Sequence, residues 1–221
     1  MSKSDRDNVR TIVWPVVRSC ALWALSHSLL ASQPAKRTAE RIVGARTRNG
    51  LYRVFYNVQA WVSFGWLVYS IARVPDRELL RIKGPVGTLL LLPKLGAAVL
   101  TAWSGLILGP LRFNGVPQVV AYLQGKLPPP EDEAQGPIRE HGRLKVVGPF
   151  RVVRHPANMG PFLLALFSRR VTVKGATVTA LLGLYGVLGS LHEEYRLKAR
   201  HGEEYETYRR EVPFAFPRIG R

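Results

Sequence analysis

The chain has 221 residues, 47% of them apolar, and a mean hydropathy near zero, values that fit an ordinary globular protein. Its charge does not fit: 32 Lys and Arg stand against 15 Asp and Glu, a net +17 that excludes a typical acidic cytosolic enzyme. A single cysteine, Cys20, excludes a disulfide scaffold and a Cys-rich zinc site.

The charges are banded. Residues 12–31 carry one, Arg18, and are apolar at 14 of 20 positions; residues 54–72 carry none and are apolar at 14 of 19. Residues 86–108 carry only Lys94, and residues 175–191 carry none. These lengths approach the roughly 20 residues that a helix needs to cross about 30 Å of hydrocarbon. They lack the polar stripe of a soluble amphipathic helix. The sequence therefore predicts an all-α integral membrane protein. Residues 156–168 (PANMGPFLLALFS) complete about five transmembrane helices, either as a short span or as a re-entrant segment. The first apolar stretch exceeds the core of a secretory signal and reads as a retained helix.

Basic residues orient these spans. With the N-terminus outside, twenty Lys and Arg fall in cytoplasmic segments and ten outside, as the positive-inside rule prefers. The basic excess thus reads as topology and contact with membrane lipids, with no nucleic-acid partner. The expected location is a bacterial inner membrane, with the C-terminus cytoplasmic.

Three regions follow. Residues 1–125 form an N-terminal membrane region with three spans, and 126–138 (KLPPPEDEAQGPI) a proline-rich acidic linker. Residues 139–221 form a catalytic-type region containing a helix hairpin (156–191) and a cytoplasmic tail. The tail predicts helix through Arg200, a break at Gly202, and a second amphipathic helix from Glu203 to about Glu211, stopped by Val212-Pro213 and Pro217. Glu194 is spaced to pair with Lys198, and Tyr205, Tyr208 and Arg209 share a face. By pattern alone, these helices could simply lie on the membrane surface. Vicinal carboxylates Glu193-Glu194 at a membrane boundary fit that reading poorly.

Upstream, Pro156 biases His155 away from helical geometry, so Arg154 and His155 should sit on an extended turn at the mouth of the next span, beside Asn158. An arginine there can present a planar fork to a carboxylate or phosphate.

The combination Arg154-His155-Pro156-x-x-x-Gly160, a hydrophobic hairpin, then Glu193-Glu194-x-x-Leu197-x-x-x-x-Gly202-x-x-Tyr205-x-x-Tyr208-x-x-x-Val212-Pro213 resembles the isoprenylcysteine carboxyl methyltransferase family. The wider superfamily includes phospholipid methyltransferases and bacterial thiol methyltransferases. The similarity covers about residues 140–217, and His27-Ser28-Leu29-Leu30-Ala31-Ser32 resembles bacterial NnrU-like proteins. The resemblance implies a five-helix membrane methyltransferase that uses S-adenosyl-L-methionine (SAM) and no metal. On matching positions it implies catalytic roles for Arg154 and Glu193. It places Arg154, His155, Pro156, Asn158, Glu193, Glu194, Tyr205, Tyr208 and Arg209 around the cofactor. Arg154 would suit the cofactor carboxylate, Glu193 or Glu194 its amino group or ribose, and the two tyrosines would cover its adenine or the end of the site.

The acceptor implied is lipidic or a small hydrophobic molecule carrying a carboxylate, thiol or amine. Ala157-Asn158 stands where the family often has an aromatic residue, and His201 where a Phe or Tyr is usual. Two alternatives remain: an NnrU-like haem protein or isomerase with histidine ligands such as His27, His155 or His192, and an NADPH-dependent sterol-type reductase.

Overall fold

The computed structural model describes residues 3–128, 138–140 and 143–218. The chain runs α1 (Lys3–Ala31), α2 (Gln33–Val43), α3 (Ala45–Ala72), β1 (Glu78–Arg81), α4 (Gly84–Leu89), α5 (Leu91–Leu108), α6 (Pro110–Phe113) and α7 (Val116–Leu123). It continues with β2 (Ile138–Glu140), β3 (Arg143–Lys145), a 3-10 turn (Gly148–Arg151), α8 (Pro156–Leu166), β4 (Arg170–Thr172), α9 (Val173–His201) and α10 (Glu203–Glu211). The fold is all-α, with two minor antiparallel ribbons, β1–β4 and β2–β3, that hydropathy alone does not announce. Among the described residues two helices are long and apolar enough to cross a membrane, Gly84–Leu108 (α4 with α5) and Val173–His201 (α9). Most of the expected linker, residues 129–137, lies outside the described residues.

The chain forms two compact units, Met1–Asp76 with Gly109–Glu133, and Arg77–Leu108 with Ala134–Arg221. The first holds α1, α2, α3, α6 and α7. Tyr52 of α3 donates to Leu30 O of α1 at 2.7 Å, and the Tyr56 hydroxyl meets His27 Nε2 at 2.7 Å. Trp23 stacks on His27 with ring centroids 4.9 Å apart. On α3, Arg53 Nε and Asn57 Nδ2 donate to Phe113 O, the last residue of α6, at 2.7 and 3.1 Å. These donors satisfy a helix-end carbonyl that lacks an intrahelical partner.

In the second unit α8 packs against both α5 and α9. Small residues permit the approach. A Cβ on Gly160 would lie 1.9 Å from Thr101 Oγ1 of α5, and one on Gly186 of α9 would lie 2.9 Å from Asn158 O. Pro156 occupies the first turn of α8, where its missing N–H costs nothing. α8 has eleven residues, so the segment expected over 156–168 ends early, at Leu166. α9 runs unbroken from Val173 to His201, and Gly202 (φ +55°) turns the chain into α10. At the other end of α9, β1 pairs with β4, and Glu78 accepts from Arg81 Nη2 at 2.8 Å and from Arg170 Nε at 2.7 Å.

Large apolar side chains point outward from several helices, among them Trp61, Leu92, Leu106 and Leu188. Extended exposed apolar surface is unusual for a protein surrounded only by water.

Candidate active site

The polar residues of the second unit converge where the start of α8, the end of α9, α10 and the segment after it meet. The turn before α8 is held by main-chain bonds: Arg154 N donates to Pro213 O at 2.8 Å and His155 N to Phe214 O at 3.2 Å. This fixes two side chains at adjacent positions, as Pro156 leads one to expect.

Arg154 has a side chain only one-tenth exposed. Its Nε and Nη2 both lie 2.8 Å from Glu194 Oε1, and its Nη1 donates to Arg209 O and Val212 O. Each of its three nitrogens therefore has a protein acceptor, so the guanidinium expected to face a ligand carboxylate is turned inward. Glu194 is equally committed. His155 Nε2 lies 3.0 Å from Oε1, and Arg209 Nε lies 3.3 Å from Oε2.

The expected Glu194–Lys198 pair is corrected by the same geometry. Lys198 Nζ instead meets Glu206 Oε1 at 2.7 Å on the surface. A multidentate bond to a buried arginine outweighs an exposed i,i+4 pair.

Glu193 differs from its neighbour. It is buried, and Oε2 accepts from Asn158 Nδ2 at 2.8 Å with His155 Nδ1 at 3.4 Å. The Asn158 amide also reaches Ser190 Oγ at 3.3 Å. Glu193 Oε1 is buried with no protein partner. A carboxylate oxygen left so has lost its water without a replacement bond, a cost that a positively charged or hydrogen-donating ligand would offset.

Tyr205 and Tyr208 pack with Leu197 and Val212, their rings 5.8 Å apart. Tyr208 donates to Phe150 O at 2.8 Å, whereas the Tyr205 hydroxyl is buried without a partner. Burial, then the negative charge of Glu194, pushes the Tyr205 hydroxyl well above the usual phenol range, and burial does the same at Tyr208. Both stay neutral at ordinary pH, and Tyr205 retains an O–H to donate.

The structure thus brings together Arg154, His155, Asn158, Glu193, Glu194 and Arg209, with Tyr205 and Tyr208 beside them. Pro156 shapes the turn. His192 is exposed and joins none of these bonds. Two participants escape the sequence reading. Ser190, three residues before Glu193 on α9, could have been found by helical spacing. Phe214, directly after Val212-Pro213, carries no periodic signal, because it lies in irregular chain.

Comparison with known proteins supplies the rest. The chain is 26% identical over its full length to a methanethiol S-methyltransferase of Crocosphaera subtropica, covering 81% of that protein. That similarity extends beyond the motif-bearing residues 140–217 to the N-terminal helices. A methanethiol S-methyltransferase of Pseudomonas deceptionensis is also 26% identical, over 94% of this chain and 76% of its own. A methanethiol S-methyltransferase 2 of Bradyrhizobium diazoefficiens is 38% identical over 71 residues, 32% of this chain and 27% of that protein. No family model matches, and no solved structure matches.

Proposed function

We propose that the chain is an integral membrane methyltransferase that takes its methyl group from SAM and delivers it to a small thiol. The supporting observation is the pair of buried, unpartnered polar atoms, Glu193 Oε1 and the Tyr205 hydroxyl, beside a network in which neighbouring polar groups are already bonded. An acceptor oxygen that wants a cation and a hydroxyl that wants an acceptor suit a ligand bearing both kinds of charge, as SAM does. The relatives' names supply the thiol.

Bound SAM would supply an electrophilic methyl carbon on a cationic sulfur. The chain's task is then positioning, since transfer from a sulfonium is an in-line displacement that needs no covalent intermediate with the enzyme. Glu193 holds the cationic end through Oε1, with Asn158 and Ser190 aiming the carboxylate. Tyr205 donates to an acceptor on the ligand, and its ring face favours a cation. Tyr208 and Val212 wall an open cleft of about 480 Å³ with Leu144, Val146 and Thr207, and neither Glu193 nor Tyr205 lines it. Arg154 and Glu194 hold the turn and the tail together and act as positioning residues, while Arg209 closes the outer side of Glu194.

The exposed apolar surface and the banded charge support five membrane helices, α8 being the shortest, with the site and the C-terminus on the cytoplasmic side. The haem reading is less well supported, because His155 directs both ring nitrogens at glutamates and His27 directs Nε2 at Tyr56. The vicinal Glu193-Glu194 pair favours methyl transfer over NADPH-dependent reduction.

The test is a thermal-shift series in detergent. SAM and S-adenosylhomocysteine should raise the melting temperature and NADPH should not, because a ligand that binds only the native state stabilises it. Radiolabelled methyl transfer to methanethiol, a lipid amine and a carboxylate then identifies the acceptor. A Soret band, or stabilisation by NADPH alone, would overturn the assignment.

A further inference from the structure

We infer that Phe214 is a positioning residue of this site, setting the tilt of the His155 ring and through it the aim of Glu193. The inference rests on the reading of Glu193 as the ligand-facing carboxylate.

His155 is buried and spans two adjacent carboxylates, with Nδ1 3.4 Å from Glu193 Oε2 and Nε2 3.0 Å from Glu194 Oε1. Contacts at the two ring nitrogens restrain the imidazole along its edges. They leave it free to rock about the line joining those nitrogens, since a hydrogen bond tolerates a broad range of angles at its acceptor. Removing that freedom takes a contact on the ring face. Phe214 supplies it, with ring centroids 4.8 Å apart and planes at 55°. The same ring lies 5.6 Å from Arg154 Cζ, so one side chain borders both residues of the Arg-His turn.

Phe214 is itself held from several directions. Its carbonyl accepts from His155 N at 3.2 Å, and the preceding carbonyl, Pro213 O, accepts from Arg154 N at 2.8 Å. Its ring packs on the buried cluster of Ala97, Met159, Leu163 and Ala215, contributed by α5, α8 and the tail. The aromatic face is therefore fixed to the helix framework on one side and to His155 on the other. A rocking imidazole would shift its contact with Glu193 Oε2, and the free Oε1 would turn with the carboxylate.

The experiment uses the full chain in detergent, with Phe214→Leu and Phe214→Tyr. Leucine keeps apolar volume and removes the ring face; tyrosine keeps the face. Two readouts are taken: the ¹⁵N resonances of His155 in histidine-labelled protein without ligand, assigned with His155→Gln, and the affinity for S-adenosylhomocysteine. Phe214→Leu should move the His155 resonances and weaken binding by about tenfold, the scale of one aromatic contact. Phe214→Tyr should restore both. Unmoved resonances in Phe214→Leu overturn the inference, including the case where affinity and melting temperature fall together, since that marks a purely structural role. If the unsubstituted protein does not bind S-adenosylhomocysteine, the methyltransferase reading fails, and the ligand-free resonances still decide whether Phe214 sets the ring.

Discussion

Both units of the molecule use arginine to hold a chain segment, and they do so in opposite electrostatic settings. In the first, Arg46 and Arg53 on α3 donate to Tyr122 O and Phe113 O at 3.0 and 2.7 Å, each guanidinium lying over the ring of the same residue. In the second, Arg154 also holds main-chain carbonyls, but it is nearly buried and is bound to Glu194. A carbonyl acceptor leaves the arginine's charge in place, and the segment around α2 and the start of α3 keeps its basic excess. A carboxylate acceptor balances the charge and lets one residue pass its orientation to the next, from Arg154 to Glu194 to His155. The basic excess of the whole chain therefore lies outside the site, where Arg154 and Arg209 are matched by Glu193 and Glu194.

That contrast breaks first at the arginines. Arg154→Ala should cost about 3–5 kcal/mol of stability in detergent, because it strands a buried carboxylate. Arg53→Ala should cost about 1 kcal/mol, the net worth of an ordinary hydrogen bond. Equal losses in denaturant titrations would show that the two arginines do the same job. Arg154→Lys should restore little, since a point charge cannot replace a fork that serves Glu194, Arg209 O and Val212 O together.

Glycines offer a smaller contrast. Gly160→Ala should cost about 1–3 kcal/mol, because α8 must move away from Thr101 or distort it. Gly65 in α3 of the first unit has open space around its missing Cβ, so Gly65→Ala should be neutral or stabilise by about 0.5–1 kcal/mol. A neutral Gly160→Ala would mean that α5 and α8 are not in close contact at this point.

How much of this was legible in the sequence depended on whether the signal was local. Apolar runs announced α1, α3, α5 and α9, and Gly202 announced the turn into α10, because apolar patterning and backbone freedom are written one segment at a time. The Arg-His-Pro turn and the vicinal glutamates were visible as chemistry. Their division of labour was not. Whether Glu193 or Glu194 faces a ligand depends on which one Arg154, forty residues earlier, can reach, and helical spacing carries no such distance. The same holds for Lys198, which was spaced for Glu194 but is taken by Glu206. Phe214 and the β1–β4 ribbon were illegible for the same reason: both exist only through pairing with distant chain.

The finest contrast lies within the site, between two tyrosines three residues apart. Tyr208 donates to Phe150 O, so Tyr208→Phe should lose about 1 kcal/mol by stranding a carbonyl. Tyr205 has no partner, so Tyr205→Phe should leave stability unchanged or raised while weakening the ligand, whose acceptor would lose a donor. Alkaline pH tests both. Each folded phenol titrates above the ordinary value of 10 because burial disfavours the phenolate. The unfolded chain therefore releases these protons first. The stabilising contribution is complete below pH 10 and is lost as pH climbs through the unfolded value toward the folded one. Replacing Tyr205 alone should move the alkaline unfolding midpoint upward without a neutral-pH cost, whereas replacing Tyr208 should trade a neutral-pH loss for the same gain. An alkaline midpoint indifferent to both substitutions would show that neither phenol is buried in the folded protein, and with it the Tyr205 donor would lose its claim on a ligand.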